Sequence, residues 1–140
     1  MRLWILLLAL AGCVHPRDVG PSADEQARLS VDAALAGTWQ LSNYTPTQPM
    51  TGALLAAIQT GRVLATFANG HMKSTTPDFT FDRIYRLEPP VGDTFRIWLS
   101  DGQGLEYESW ARFSGPNRLL FDCKNEPWRG TGSIERVPTP

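Results

Sequence analysis

Apolar and polar side chains alternate through most of the second half of the chain. Phe79, Phe81, Tyr85 and Leu87 share one face of Phe79–Leu87, interrupted by Arg83. Phe95, Ile97 and Leu99 do the same in Thr94–Ser100, and Leu105, Tyr107, Ala111 and Phe113 in the stretch after it. In Arg118–Cys123 the residues Leu119, Phe121 and Cys123 alternate with Leu120 and Asp122. A period of two marks strands with one buried face. Earlier, residues 62–67 and 71–75 flank Asn69-Gly70, a hairpin signal because a two-residue turn needs positive φ at both central positions. That turn predicts Phe67 opposite Met72. Residues 38–44 and 131–137 supply a first and a last strand. Eight strands with mostly short connections predict a mainly β fold, a small up-and-down antiparallel eight-stranded barrel.

Registers follow from the shared faces, since directly paired residues lie on one side of a sheet. The turn Asp101-Gly102-Gln103-Gly104 is expected to set Leu99 opposite Leu105 and Ile97 opposite Tyr107, with Arg96 opposite Glu108 outside. Phe113 is expected opposite Leu119, which turns Cys123 inward.

Two stretches carry helical spacing instead. Ser22-Ala23-Asp24-Glu25 has the form of a capping box, and Ala27, Val31, Ala34 and Leu35 follow on one face up to Gly37. This narrow stripe predicts a helix over 22–36 lying on the domain surface. Residues 50–59 are expected to form a short helix with Leu54, Leu55 and Ile58 on one side.

The start of the chain changes the picture. A single basic residue, Arg2, precedes the apolar run 3–10, which is too short to span a bilayer. The next residues, Leu10-Ala11-Gly12-Cys13, resemble the lipobox of bacterial lipoproteins. The resemblance implies removal of residues 1–12 as a signal peptide and acylation of Cys13. Residues 13–21 would then be a lipidated tether, 22–36 the helix and 37–138 the barrel domain. Val14 after the cysteine resembles lipoproteins sorted to the outer membrane, which implies a periplasm-facing domain with its acyl chains as the membrane contact. Cys123 is left without an intramolecular partner, either buried as a small apolar residue or free to pair with another chain.

Composition adds limits. The 42% hydrophobic and 19% charged residues suit a globular domain. A formal net charge of −1 offers no basic surface for nucleic acid.

Gly37-Thr38-Trp39 at the first strand resembles the lipocalins, eight-stranded barrels that often hold small apolar molecules. The resemblance implies that Trp39 closes one end of the barrel and packs against a basic side chain of the last strand, here Arg136. Two departures stand out: the strands are short for a ligand cup, and a helix is expected where a long first loop belongs.

No catalytic constellation emerges. His15 lies in the tether and His71 beside a hairpin turn, and with Cys123 they make no zinc pattern. Glu106, Glu108 and Asp122 alternate with apolar residues, as on a solvated strand face. The expectation is a non-enzyme without cofactor or metal. The inward residues either fill the barrel or line a pocket for a small apolar ligand, with Arg83, Tyr85 and Tyr107 as its polar groups. Outside, Trp98 and Trp110 flanked by Arg96 and Arg112, and Trp128 in the last loop, form a candidate protein interface or an additional membrane contact, unless the helix or a loop covers them. These features imply a lipid-anchored binding module for an apolar ligand or an envelope protein. The alternatives are a structural or assembly subunit of a transport, motility or wall-remodelling complex, and a small lysozyme or protease inhibitor.

Overall fold

The computed structural model describes residues 19–76 and 79–140. The signal-like run 1–12, Cys13 and His15 lie outside the described residues. Eight strands follow a helix: α1 Ala23–Leu35, β1 Gly37–Pro46, α2 Gly52–Gln59, β2 Leu64–Ala68, β3 His71–Thr76, β4 Phe79–Leu87, β5 Thr94–Ser100, β6 Glu106–Phe113, β7 Arg118–Cys123 and β8 Gly130–Arg136. Each strand pairs with its neighbour in sequence, and β8 returns to β1, closing an antiparallel barrel. Closure leaves the sheet no free edge.

Local chemistry explains the registers. Asn69 and Gly70 take φ of 52° and 75°, the turn geometry that sets Phe67 opposite Met72. Phe113 pairs with Leu119, and Cys123 is buried. The β5–β6 hairpin differs from expectation by two residues: Leu99 lies opposite Tyr107, Ile97 opposite Ser109, and Arg96 opposite Trp110. Asp101 is the cause. Its carboxylate accepts the amides of Gln103 at 2.8 Å and Leu105 at 3.1 Å, while its own N–H donates to the Leu105 carbonyl. The loop therefore takes in Leu105, which is 58% exposed.

Strand β1 is not regular either. Its pairing with β8 shifts between Leu41 and Asn43, a bulge at Ser42 whose hydroxyl reaches the hydroxyl and carbonyl of Ser133. One extra residue swaps the faces. Trp39 and Leu41 point inward before it; beyond it Tyr44 does, stacking on Phe121 with centroids 6.2 Å apart.

The first helix keeps half of the expected capping box: Ser22 accepts the Glu25 amide, but the Glu25 carboxylate does not return to a backbone amide. Glu25 turns its carboxylate to Arg28 at 2.7 Å. Most of α1 keeps the expected surface position, and only its last residue is fully buried, at the end of the barrel where β1 begins. Leu35 is fully buried in the same cluster as Trp39, Phe67, Tyr85, Leu87 and Phe95, and Val31 packs against it. Leu35 and Val31 stand one turn apart, so two side chains suffice to seat the helix end; burying Leu35 contributes about 2–3 kcal/mol. In α2 the buried side chain is Ala57, with Leu54 and Ile58 partly covered, whereas Leu55 is exposed. The helix turns its 54–57–58 face to the protein, not the expected 54–55–58 face.

Candidate interface on the outer barrel face

Pairing places the outward residues of β4 to β8 in three rows. Arg86, Trp98 and Glu108 make the first; Arg96, Trp110, Asp122 and Thr131 the second; Thr94, Arg112, Leu120, Ser133 and Asn43 the third. Arginine and tryptophan interleave between the first two. The Arg86 guanidinium lies 5.4 Å from the Trp98 ring centroid, and Arg96 lies 5.8 Å from Trp98 and 4.5 Å from Trp110. Each such contact is worth about 0.5–1 kcal/mol at an exposed site.

Two glutamates complete the ladder. The Trp98 indole N–H donates to Glu88 at 2.7 Å, and that of Trp110 to Glu108 at 3.0 Å. Arg96 sits between them, 3.2 Å from Glu88 and 3.1 Å from Glu108. Its Nε faces Glu108 off the N–H axis and so makes no hydrogen bond. The Trp98 N–H, then the Arg96 and Arg86 charges, hold the Glu88 carboxyl below the ordinary carboxylate range. Both indoles are half-buried, with Arg96 over each ring and Glu88 of the β4–β5 loop on the Trp98 N–H.

Between the second and third rows runs a trench of about 400 Å³. Trp110, Asp122 and Thr131 form one wall, and Arg112, Leu120, Ser133 and Asn43 the other. The floor is the backbone of Ala111, Phe121 and Gly132, the intervening row whose side chains turn inward. The trench therefore crosses β6, β7 and β8 on the outside of the barrel.

The remaining candidates fall elsewhere. Trp128, 44% exposed in the β7–β8 loop, does not line the trench; its carbonyl accepts the Tyr44 hydroxyl at 2.8 Å. Tyr85 and Tyr107 align in one row through Leu99. The Tyr85 hydroxyl, however, donates to Asp32 of α1 at 2.6 Å, and burial followed by that carboxylate pushes its pKa up to about 12. It fastens the helix. Arg83 donates to the Asp82 carbonyl at 3.1 Å. A second cavity, of about 340 Å³ between α1 and β4, is lined by Tyr85 with Arg28, Asp32 and Arg86, and reaches neither Arg83 nor Tyr107.

At the capped end Arg136 lies 4.3 Å from the Trp39 ring centroid. It also donates to the Ala36 carbonyl at 2.7 Å and to that of Ala34, while the Trp39 indole N–H donates to Leu35 at 2.8 Å. The pair thus satisfies carbonyls left free at the end of α1. A Cβ at Gly37, whose φ is +123°, would stand 2.8 Å from the Arg136 guanidinium.

His71 contacts Asp82, itself beside Lys73, on the exposed surface. Burial raises the pKa of the Cys123 thiol. Among the described residues no three His, Cys, Asp or Glu side chains gather as a metal site, and no helix is long and apolar enough to cross a membrane.

Sequence reading missed Arg86 and Glu88 in the ladder, and Leu120 and Arg118 in the trench. Strand parity could have placed Arg86 and Leu120 outward. The β4–β5 register, which brings Arg86 to Trp98, has no local signal.

The chain matches no protein-family model, no curated protein and no solved structure.

Proposed function

We propose that this chain is a non-catalytic, lipid-anchored module of the bacterial cell envelope that captures a protein partner on the outer face of β4 to β8. The observation that carries this reading is the distribution of space. The interior is occupied by the chain's own side chains, with Phe95 against Phe113 at 5.5 Å, Phe113 near Trp39 at 6.4 Å and Phe67 against Tyr85 at 5.6 Å. Of the two cavities described above, the larger lies outside, beside Trp110. Tryptophan and arginine are enriched where interfaces derive most of their energy. Leu10-Ala11-Gly12-Cys13 and Val14 support acylation of Cys13 and a place on the outer membrane facing the periplasm. Cys13→Ser should then leave the protein unanchored in fractionated cells.

A photo-crosslinking residue in place of Trp110, in the full chain in its own cells, tests the interface. The expected result is a discrete protein adduct that is absent when the residue replaces Val91, which is 77% exposed in the β4–β5 turn. Absence of an adduct at Trp110, or a small molecule bound stoichiometrically in native mass spectrometry of the extracted lipoprotein, would overturn it.

A further inference from the structure

We infer that the trench across β6, β7 and β8 seats a short extended segment of the partner that carries acidic side chains. This rests on the reading that the outer face binds protein. Because the barrel is closed, the strand amides and carbonyls of the floor are already paired with their neighbours. A segment laid there cannot be recognised by strand addition, and the wall side chains must select it.

Those walls differ in charge. Arg112 and Arg118 both line the trench on one side. Arg112 has only a 3.9 Å contact with Asp93, both side chains being more than half exposed. Arg118 stands opposite Glu135 across the β7–β8 pairing, yet forms no ion pair within 4.0 Å among the described residues. The one acidic side chain lining the trench, Asp122 on the opposite wall, is paired with Lys124, which does not line it. Two arginines are thus available to carboxylates, and Leu120 and Trp110 offer apolar contact on either side.

Length fits as well. From β6 to β1 there are three strand spacings, about 14 Å, the span of roughly four extended residues. Side chains of an extended segment alternate. Acidic residues at every second position would face Arg112 and Arg118, with apolar ones between them toward Trp110. Guanidinium groups pair with carboxylates in a two-pronged geometry that a lysine-rich segment cannot supply from its side.

The test uses the full chain, isotope-labelled and held in mild detergent, with two blocked peptides as probes: acetyl-Glu-Leu-Glu-Leu-amide and acetyl-Lys-Leu-Lys-Leu-amide. The acidic peptide should shift the Trp110 indole signal and the backbone amides of Arg112, Leu120 and Ser133. Arg112→Ala and Arg118→Ala, each checked for an unchanged dispersed spectrum, should weaken it about fivefold. Raising salt from about 50 mM to about 500 mM should weaken it further. No shift with the acidic peptide, or shifts mapped away from the trench, would overturn the inference. Equal binding by the lysine peptide would overturn it too, while the adduct formed at Trp110 in cells would still stand for the outer face as an interface.

Discussion

Arg136 over Trp39 and Arg96 over Trp110 are one pairing in two settings, at 4.3 and 4.5 Å from the ring centroids. At the capped end the indole is fully buried and its N–H goes to a helix carbonyl, as do two donors of the arginine. On the outer face the indole is half-buried, its N–H goes to a glutamate, and Arg96 is shared with a second indole and a second glutamate. Stacking is common to both, so it cannot be what separates them. The destination of the polar atoms does. Backbone acceptors tie α1 to the barrel, whereas on the outer face the polar atoms end on side-chain carboxylates, link strands that the sheet already pairs, and leave both indoles partly exposed.

The largest expected effect lies at the capped end. Trp39→Ala should cost about 3–5 kcal/mol, the range for emptying a packed aromatic site. Arg136→Ala, which uncovers the ring and releases two carbonyls, should cost about 1–3 kcal/mol. Trp110→Ala should cost about 1 kcal/mol or less, as a surface substitution that leaves the core intact. Urea unfolding of the three variants compares them directly. Similar losses at Trp39 and Trp110 would dissolve the distinction between scaffold and surface.

The two regions were not equally legible in the sequence. Trp39, Arg136 and the capping residues Ser22 and Glu25 are local or resemblance-borne signals, and the structure places them against one another. That the end of α1 would join the core was not legible, because it depends on Leu35 entering the cluster that holds Tyr85 and Leu87, far along the chain. Parity placed Trp98 and Trp110 outside. The ladder itself depends on registers, and the β5–β6 register escaped because Asp101 holds a longer loop than its glycines suggested. The trench is a property of backbone shape, and the bulge at Ser42 that turns Asn43 to its wall has no signature in Leu41-Ser42-Asn43-Tyr44.

A middle effect concerns the latch between α1 and β4. Tyr85 donates to Asp32, and its pKa stands at about 12 against 10.0 for the free side chain. The folded state keeps this proton where the unfolded chain gives it up. The contribution is therefore whole below pH 10, and is lost as pH rises from about 10 through about 12. Tyr85→Phe should cost about 1–2 kcal/mol at neutral pH by leaving Asp32 without its donor. It should also flatten the fall in stability on the alkaline side. Urea midpoints measured between about pH 8 and pH 11 would show both effects. An unchanged alkaline slope would mean that Tyr85 does not hold the helix through its hydroxyl.

A small effect on stability, like that of Trp110→Ala, should come from Arg96→Gln. This removes the cation between Trp98 and Trp110 and leaves Glu88 and Glu108 facing each other, yet empties no core volume, so the cost should stay near about 1 kcal/mol. It should also depend on pH in a defined direction. Glu88 is held below its ordinary range first by the Trp98 N–H and then by Arg96 and Arg86, so its contribution is present above that range and is lost as pH falls through it. The difference between wild type and Arg96→Gln should therefore narrow in acid. The effect on capture should be far larger than the effect on folding, because the arginine sets both rings at the angle the partner would meet. In cells carrying the photo-crosslinking residue at position 110, Arg96→Gln should lower adduct yield while protein abundance holds. Undiminished yield would assign the ladder to the scaffold and leave the trench beside it as the part of the outer face that recognises a partner.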